Sequence, residues 1–184
     1  MGVAVSEKFS NFEWYMQGLT ASSPTFEPTI RGTGEKPVDC CDKLGAIAKI
    51  ETQLGKSVAS LVLFGRNAQS DYEYIRNHLA CIMTANAEKD KKREPEMISM
   101  YHLAWLIARM VIEFTLDPEL ESVYTKKGRL YFAGIKSYQM DTEIYRKTWR
   151  PYEDLMVLAL NSAIDEANQV MGMYKKQTLS ENKI

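Results

Sequence analysis

Between Met97 and Val111 the apolar residues recur every three or four positions: Met97, Met100, Tyr101, Ala104, Ile107, Ala108 and Val111 fall on one side of a helix. Trp105, Leu106 and Met110 widen that stripe, which reads as the central helix of a core. No stretch of the chain sustains the period-two alternation of a half-buried strand, and there is no internal repeat or heptad seam. Elements of this kind bury their stripes only by packing on one another, so the expected fold class is all-α. With 184 residues, 45% of them hydrophobic, the chain has material for one helical domain with appendages.

Punctuation places the other helices. Val5, Phe9, Phe12 and Met16 give a short amphipathic helix over residues 6–17, capped by Ser6 and stopped by Gly18. From Leu19 to Pro37 the chain turns to Ser, Thr, Gly and three prolines, so residues 1–37 read as a short helix and an arm. The helix can pack on the body or serve as a detachable peptide. Asp39 or Asp42 caps a helix whose stripe runs to Phe64 and Gly65, with a break expected near Gly55. Ser70 or Asp71 opens the next, striped by Ile75, Leu79, Ile82 and Met83, and Ala87–Pro95 is a charged loop. Pro95 stands near the start of the central helix. Asp117 and Pro118 begin a helix expected to end at Gly128. After Pro151 a long helix runs to about Met171, and the tail is polar, with a flexible end over 177–184. The helical domain so defined covers 38–176.

Charge singles out Thr125–Pro151. Seven bases (Lys126, Lys127, Arg129, Lys136, Arg146, Lys147, Arg150) face two acids (Asp141, Glu143), a local +5 in a chain of net −1, which leaves −6 for the remainder. A basic segment in an acidic chain is the footprint of a polyanion site. Tyr131, Tyr138, Tyr145 and Trp149 are interleaved, able to lie on sugar or base faces or to be core. Gly128 is expected to separate two helices; Arg129–Ile135 then forms a short helix with Leu130, Ala133 and Gly134 inward. Lys136–Met140 turns, and Asp141 or Thr142 caps a third helix that Pro151 breaks after Arg150. That is the pattern of a helix-turn-helix at about 129–150. On its last helix Arg146, Lys147 and Arg150 share one side, roughly opposite Ile144. Gln139 and Thr142, at the helix start, are placed to read base edges; Lys126, Lys127, Arg129 and Lys136 hold phosphates, and Tyr138 lies beside them. The competing reading is a solvated face of an ordinary helical protein.

Other chemistries find little footing. Cys40, Cys41 and Cys81 form no CxxC, and His78 and His102 stand apart, so no metal and no cofactor is expected. There is no phosphate-binding glycine loop and no nucleophile elbow, so no enzyme and no small-molecule substrate is expected. No apolar run reaches the roughly 18 residues of a membrane span, and Met1–Phe9 lacks a signal core, so the expected location is the cytoplasm.

The segment TEIYRKTWRPYEDLMVLALNSAIDEANQVM resembles the C-terminal part of the late-gene antiterminator Q proteins of lambdoid phages. The residues that carry the resemblance are Tyr145, Arg146, Trp149, Arg150, Pro151, Tyr152, Glu153, Leu155, Asp165, Glu166 and Ala167. The segment is also similar to the promoter-reading helix-turn-helix of bacterial sigma factors. The resemblance covers roughly the last third of the chain. Two features depart from it: there is no cysteine-rich zinc insertion, and the turn between Gly134 and Thr142 exceeds the usual three or four residues. It implies a metal-free, DNA-binding transcription antitermination factor acting in the bacterial host cytoplasm. Its partners would be double-stranded DNA, host RNA polymerase and sigma factor, with no membrane. The alternatives are a helical phage packaging or assembly protein, small terminase-like and ring-forming, and an inhibitor acting through protein–protein contact.

Overall fold

The computed structural model of the chain describes residues 7–17 and 38–181, and every regular element among them is helical, as the stripes predict. The proline-rich arm and residues 182–184 lie outside the described residues. No described helix is long and apolar enough to cross a membrane, and no cluster of three or more His, Cys, Asp or Glu among the described residues could hold a metal. The chain divides into two compact units, Met1–Gln69 with Ala163–Ile184, and Ser70–Ser162.

The first unit contains a 3-10 turn at Glu7–Phe9, α1 (Glu13–Gln17), α2 (Cys40–Ala48), α3 (Gln53–Phe64) and the C-terminal part of α9 (Arg150–Glu181). Phe9, Phe12 and Tyr15 are buried. The Tyr15 hydroxyl donates to the Met171 carbonyl at 2.9 Å, and Asn11 bonds Asn168 twice, so this stretch packs onto the body. Asp39 and Asp42 both serve α2, each carboxylate accepting the other's backbone N–H. The break expected at Gly55 falls instead between Ala48 and Gln53. Thr52 caps α3, and Glu166 accepts the N–H groups of Glu51 and Thr52 at 3.0 and 2.9 Å and the Thr52 hydroxyl at 2.5 Å. Gly55 sits inside α3 because a Cβ there would lie 2.8 Å from Ile50 and 3.0 Å from Glu166. The glycine is a close approach, not a stop.

The second unit holds α4 (Gln69–Lys89), α5 (Met100–Leu116), α6 (Pro118–Val123), α7 (Lys126–Ala133), α8 (Thr142–Ile144), a π turn at Tyr145–Trp149 and the first part of α9. Its core is Ile75, Leu79 and Met83 of α4 with Leu103, Ile107 and Met110 of α5, all fully buried. The central helix starts at Ser99, whose hydroxyl takes the His102 N–H, and not near Pro95. Asp117 and Pro118 open α6 as predicted. Gly128 does not end a helix. Thr125 caps a new one, its hydroxyl 3.1 Å from the Gly128 N–H, and a Cβ on Gly128 would press that hydroxyl at 3.2 Å. α5 packs against α6 and α7, and Phe114, Tyr124 and Phe132 form an aromatic cluster with centroids 4.9 to 5.7 Å apart.

Two expectations at the end of the chain change. Pro151 does not break the helix: Arg150 keeps α geometry, at φ −54°, ψ −40°. A proline lacks the N–H for an α bond and its ring presses the carbonyl four residues back. The π turn, in which the Arg150 N–H reaches Tyr145, opens the backbone there. α9 then passes Met171 and continues to Glu181, because Lys175 to Glu181 contains no Pro or Gly and Thr178 ties its hydroxyl to the Tyr174 carbonyl.

Candidate nucleic-acid interface

The basic segment is built around one buried carboxylate. Glu153, on the first turns of α9, has a side chain only 1% exposed. It accepts from the Tyr145 hydroxyl at 2.5 Å and from Arg129 Nη2 at 2.6 Å, and Arg150 Nη1 lies at 3.3 Å. Arg129 also bonds Glu121 of α6 and stacks its guanidinium 5.2 Å from the Phe114 ring. Glu153 therefore gathers α7, the π turn and α9, and through Arg129 it reaches α6. Burial, then the Glu153 charge, pushes the Tyr145 phenol well above its ordinary value, so the proton stays on the hydroxyl that donates. Burial alone would lower the Arg150 guanidinium; Glu153 and Asp154 outweigh it and hold it above its ordinary value.

These pairings sort the seven basic residues. Arg129 is turned into the fold, which removes it from the phosphate-holding set predicted by sequence. Arg150 is half-buried between Glu153 and Asp154, the latter 3.1 Å from its Nε. Arg146 is exposed but paired at 3.0 Å with Glu143, one of the two acids of the segment. Lys127, Lys136 and Lys147 are exposed and make no ion pair among the described residues. Lys126 is the first residue of α7.

The turn is braced. Gly134, at φ 93°, closes α7 in the left-handed region that only glycine enters freely, and the Ile135 N–H returns to the Leu130 carbonyl at 2.9 Å. The Gln139 side-chain oxygen accepts the Lys136 N–H at 3.0 Å, and the Gln139 N–H returns to the Lys136 carbonyl at 2.9 Å. Gln139 thus spends its acceptor inside the turn and keeps its amide donor. Thr142 is half-buried at the start of α8, and Asp141 caps that helix through the N–H groups of Glu143 and Ile144. A long turn between Gly134 and Thr142 is in this way a folded one.

The inward side of the last helix also differs from expectation. Trp149, 2% exposed, and Tyr145 are core, while Ile144 is 54% exposed. Tyr145 takes the inward place of Ile144 with a hydroxyl that donates to Glu153, which an isoleucine lacks. Tyr131 and Tyr138 go the other way and stand in water. Glu153 and Glu121 belong to the site and escape a search for bases; Tyr131 was signalled by its place one turn after Lys127.

Neither a protein-family model, nor a curated protein, nor a solved structure matches the chain.

Proposed function

We propose that this protein is a DNA-binding transcription factor whose contact surface is the exposed side of residues 126–147. The carrying observation is the sorting of cations: Arg129 and Arg150, both half-buried, are matched to carboxylates, while Lys127, Lys136 and Lys147 stay exposed without ion pairs among the described residues. Unmatched lysines at the surface are available to phosphate. Three phosphate contacts give a slope of roughly −2.7 in a plot of log affinity against log salt. Fluorescence anisotropy on a labelled duplex measures it. Lys127→Ala or Lys136→Ala makes the slope shallower by about one unit and weakens all DNA alike. Arg146→Ala weakens a specific site more than random DNA, by about 1–3 kcal/mol for a bidentate base contact. A salt-independent affinity, or no binding, overturns the reading.

The Q-like resemblance extends the proposal. The protein binds a DNA element near a phage late promoter, engages the paused RNA polymerase–sigma complex, and stays on the enzyme so that transcription passes pauses and terminators. The remainder of the chain carries −6, which supports a protein partner there in preference to more DNA. Transcription with purified polymerase through a terminator tests this part: added protein raises read-through, and unchanged read-through refutes it.

A further inference from the structure

Tyr131 and Tyr138, 80% and 63% exposed, are the most exposed of the tyrosines, tryptophans and phenylalanines among the described residues. Their neighbours are cations. Lys127 lies one turn before Tyr131 on the outer side of α7, and Lys136 Nζ is 5.8 Å from the Tyr138 ring centroid. A notch of about 110 Å³ lies between α7 and the turn, with Lys127 and Tyr131 on one side, Ser137 and Thr142 on the other, and apolar lining from Leu130 and Met140. The backbone beneath is held by the Gly134 closure and the Gln139 brace, so little ordering of the main chain is needed to use either ring.

Exposed rings beside unpaired lysines match one ligand chemistry. Bases in a closed duplex are stacked on one another and offer only their edges. A phenol face gains a partner only when a base leaves the stack, and alternating base and phosphate along a single strand suits alternating tyrosine and lysine. We infer that Lys127, Tyr131, Lys136 and Tyr138 form a platform for single-stranded DNA, with bases stacked on the tyrosines and the lysines on the flanking phosphates. The inference rests on the DNA-binding reading above and adds that the DNA held here is unpaired, as where two strands have been separated.

The test uses the full chain and four labelled probes: a paired duplex, the same duplex with a central unpaired bubble, oligo-dT and oligo-U. Anisotropy at one fixed salt concentration is expected to show the bubble and oligo-dT bound at least about tenfold more tightly than the paired duplex. Tyr131→Ala and Tyr138→Ala each weaken bubble and oligo-dT binding by roughly 5- to 150-fold. They weaken the paired duplex much less, because its stacked bases offer no face to a ring, and the Phe variants keep wild-type affinity. Both tyrosines are solvent-exposed, so the substitutions spare the core. Equal affinity for bubble and paired duplex, or Ala variants that bind the bubble as wild type does, overturns the inference and leaves the DNA reading standing. Tighter binding of oligo-U than of oligo-dT overturns the assignment to DNA. Failure of every DNA probe to bind removes both.

Discussion

Glu153→Gln asks whether the buried carboxylate holds the second unit's end together. The amide keeps the shape of Glu153 but removes its charge, and it sets an NH2 group against donors that now reach it at 2.5, 2.6 and 3.3 Å. Breaking a buried ion pair from one side costs about 3–5 kcal/mol. Arg129 keeps its bond to Glu121, whose side chain is 43% exposed, so about 3 kcal/mol, the lower end of that range, is expected. For a chain of this size that lowers the melting temperature by about 6–12 °C. Thermal and urea melts followed by far-UV circular dichroism measure it. The double variant Arg129→Met/Glu153→Gln removes both charges and their desolvation cost, and the amide oxygen still accepts from Tyr145, so it recovers most of the loss. The double-mutant cycle then gives a coupling of at least about 1 kcal/mol. A Glu153→Gln protein that melts within 1 °C or so of wild type, or a cycle with no coupling, refutes the reasoning. The same variants bear on binding: Arg129→Met leaves the salt slope for DNA unchanged, and a slope shallower by about one unit would return Arg129 to the phosphate contacts.

Trp149→Ala opens a large void in a core where the indole is 2% exposed, at a cost of about 3–5 kcal/mol; an unchanged melting temperature would make Trp149 a surface residue. Glu166→Gln weakens the cap of α3, by about 1 kcal/mol at pH 7 in a denaturant melt. Burial raises the Glu166 carboxyl, but the bonds from Thr52 and Glu51 outweigh it and hold it below its ordinary 4.5. Its stabilisation is therefore full above the ordinary value and is lost as pH falls through the lowered one, so the gap between wild type and Glu166→Gln narrows on acidification. A gap that stays constant from neutral to strongly acidic pH argues against this role. Elemental analysis of chelator-washed protein finds no stoichiometric zinc, because the cysteines and histidines lack ligand spacing; one tightly held zinc per chain refutes that.

What the sequence makes legible is local. The helical class follows from stripes, and the caps at Asp39, Asp117 and Asp141 follow from side chains that bond amides two or three residues on. The glycines mislead because their role is set by what approaches them: Gly55 by Ile50 and Glu166, Gly128 by Thr125 and Tyr124. The centre of the site is hidden for a related reason. Arg129 meets Glu121 and Glu153 from eight and 24 residues away, and no spacing rule distinguishes an arginine bound for a buried carboxylate from one bound for phosphate. Counting charge along the segment gives +5, yet the usable cations are those left over once the fold has taken its own.

The π turn before Pro151 spaces residues differently from the α-helix that follows it. Deleting one residue within it, Thr148 for instance, would leave the Tyr145 carbonyl and the Arg150 N–H four residues apart and close an ordinary α turn. The bases on either side would keep their headings. Pro151 would then stand in an unbroken α ladder, its ring against the carbonyl four residues back. The passage of this helix through a proline is thus set by a count of residues and not by their chemistry. Two proteins differing by a single gap here would align side chain for side chain, and only one of them would carry the proline without strain.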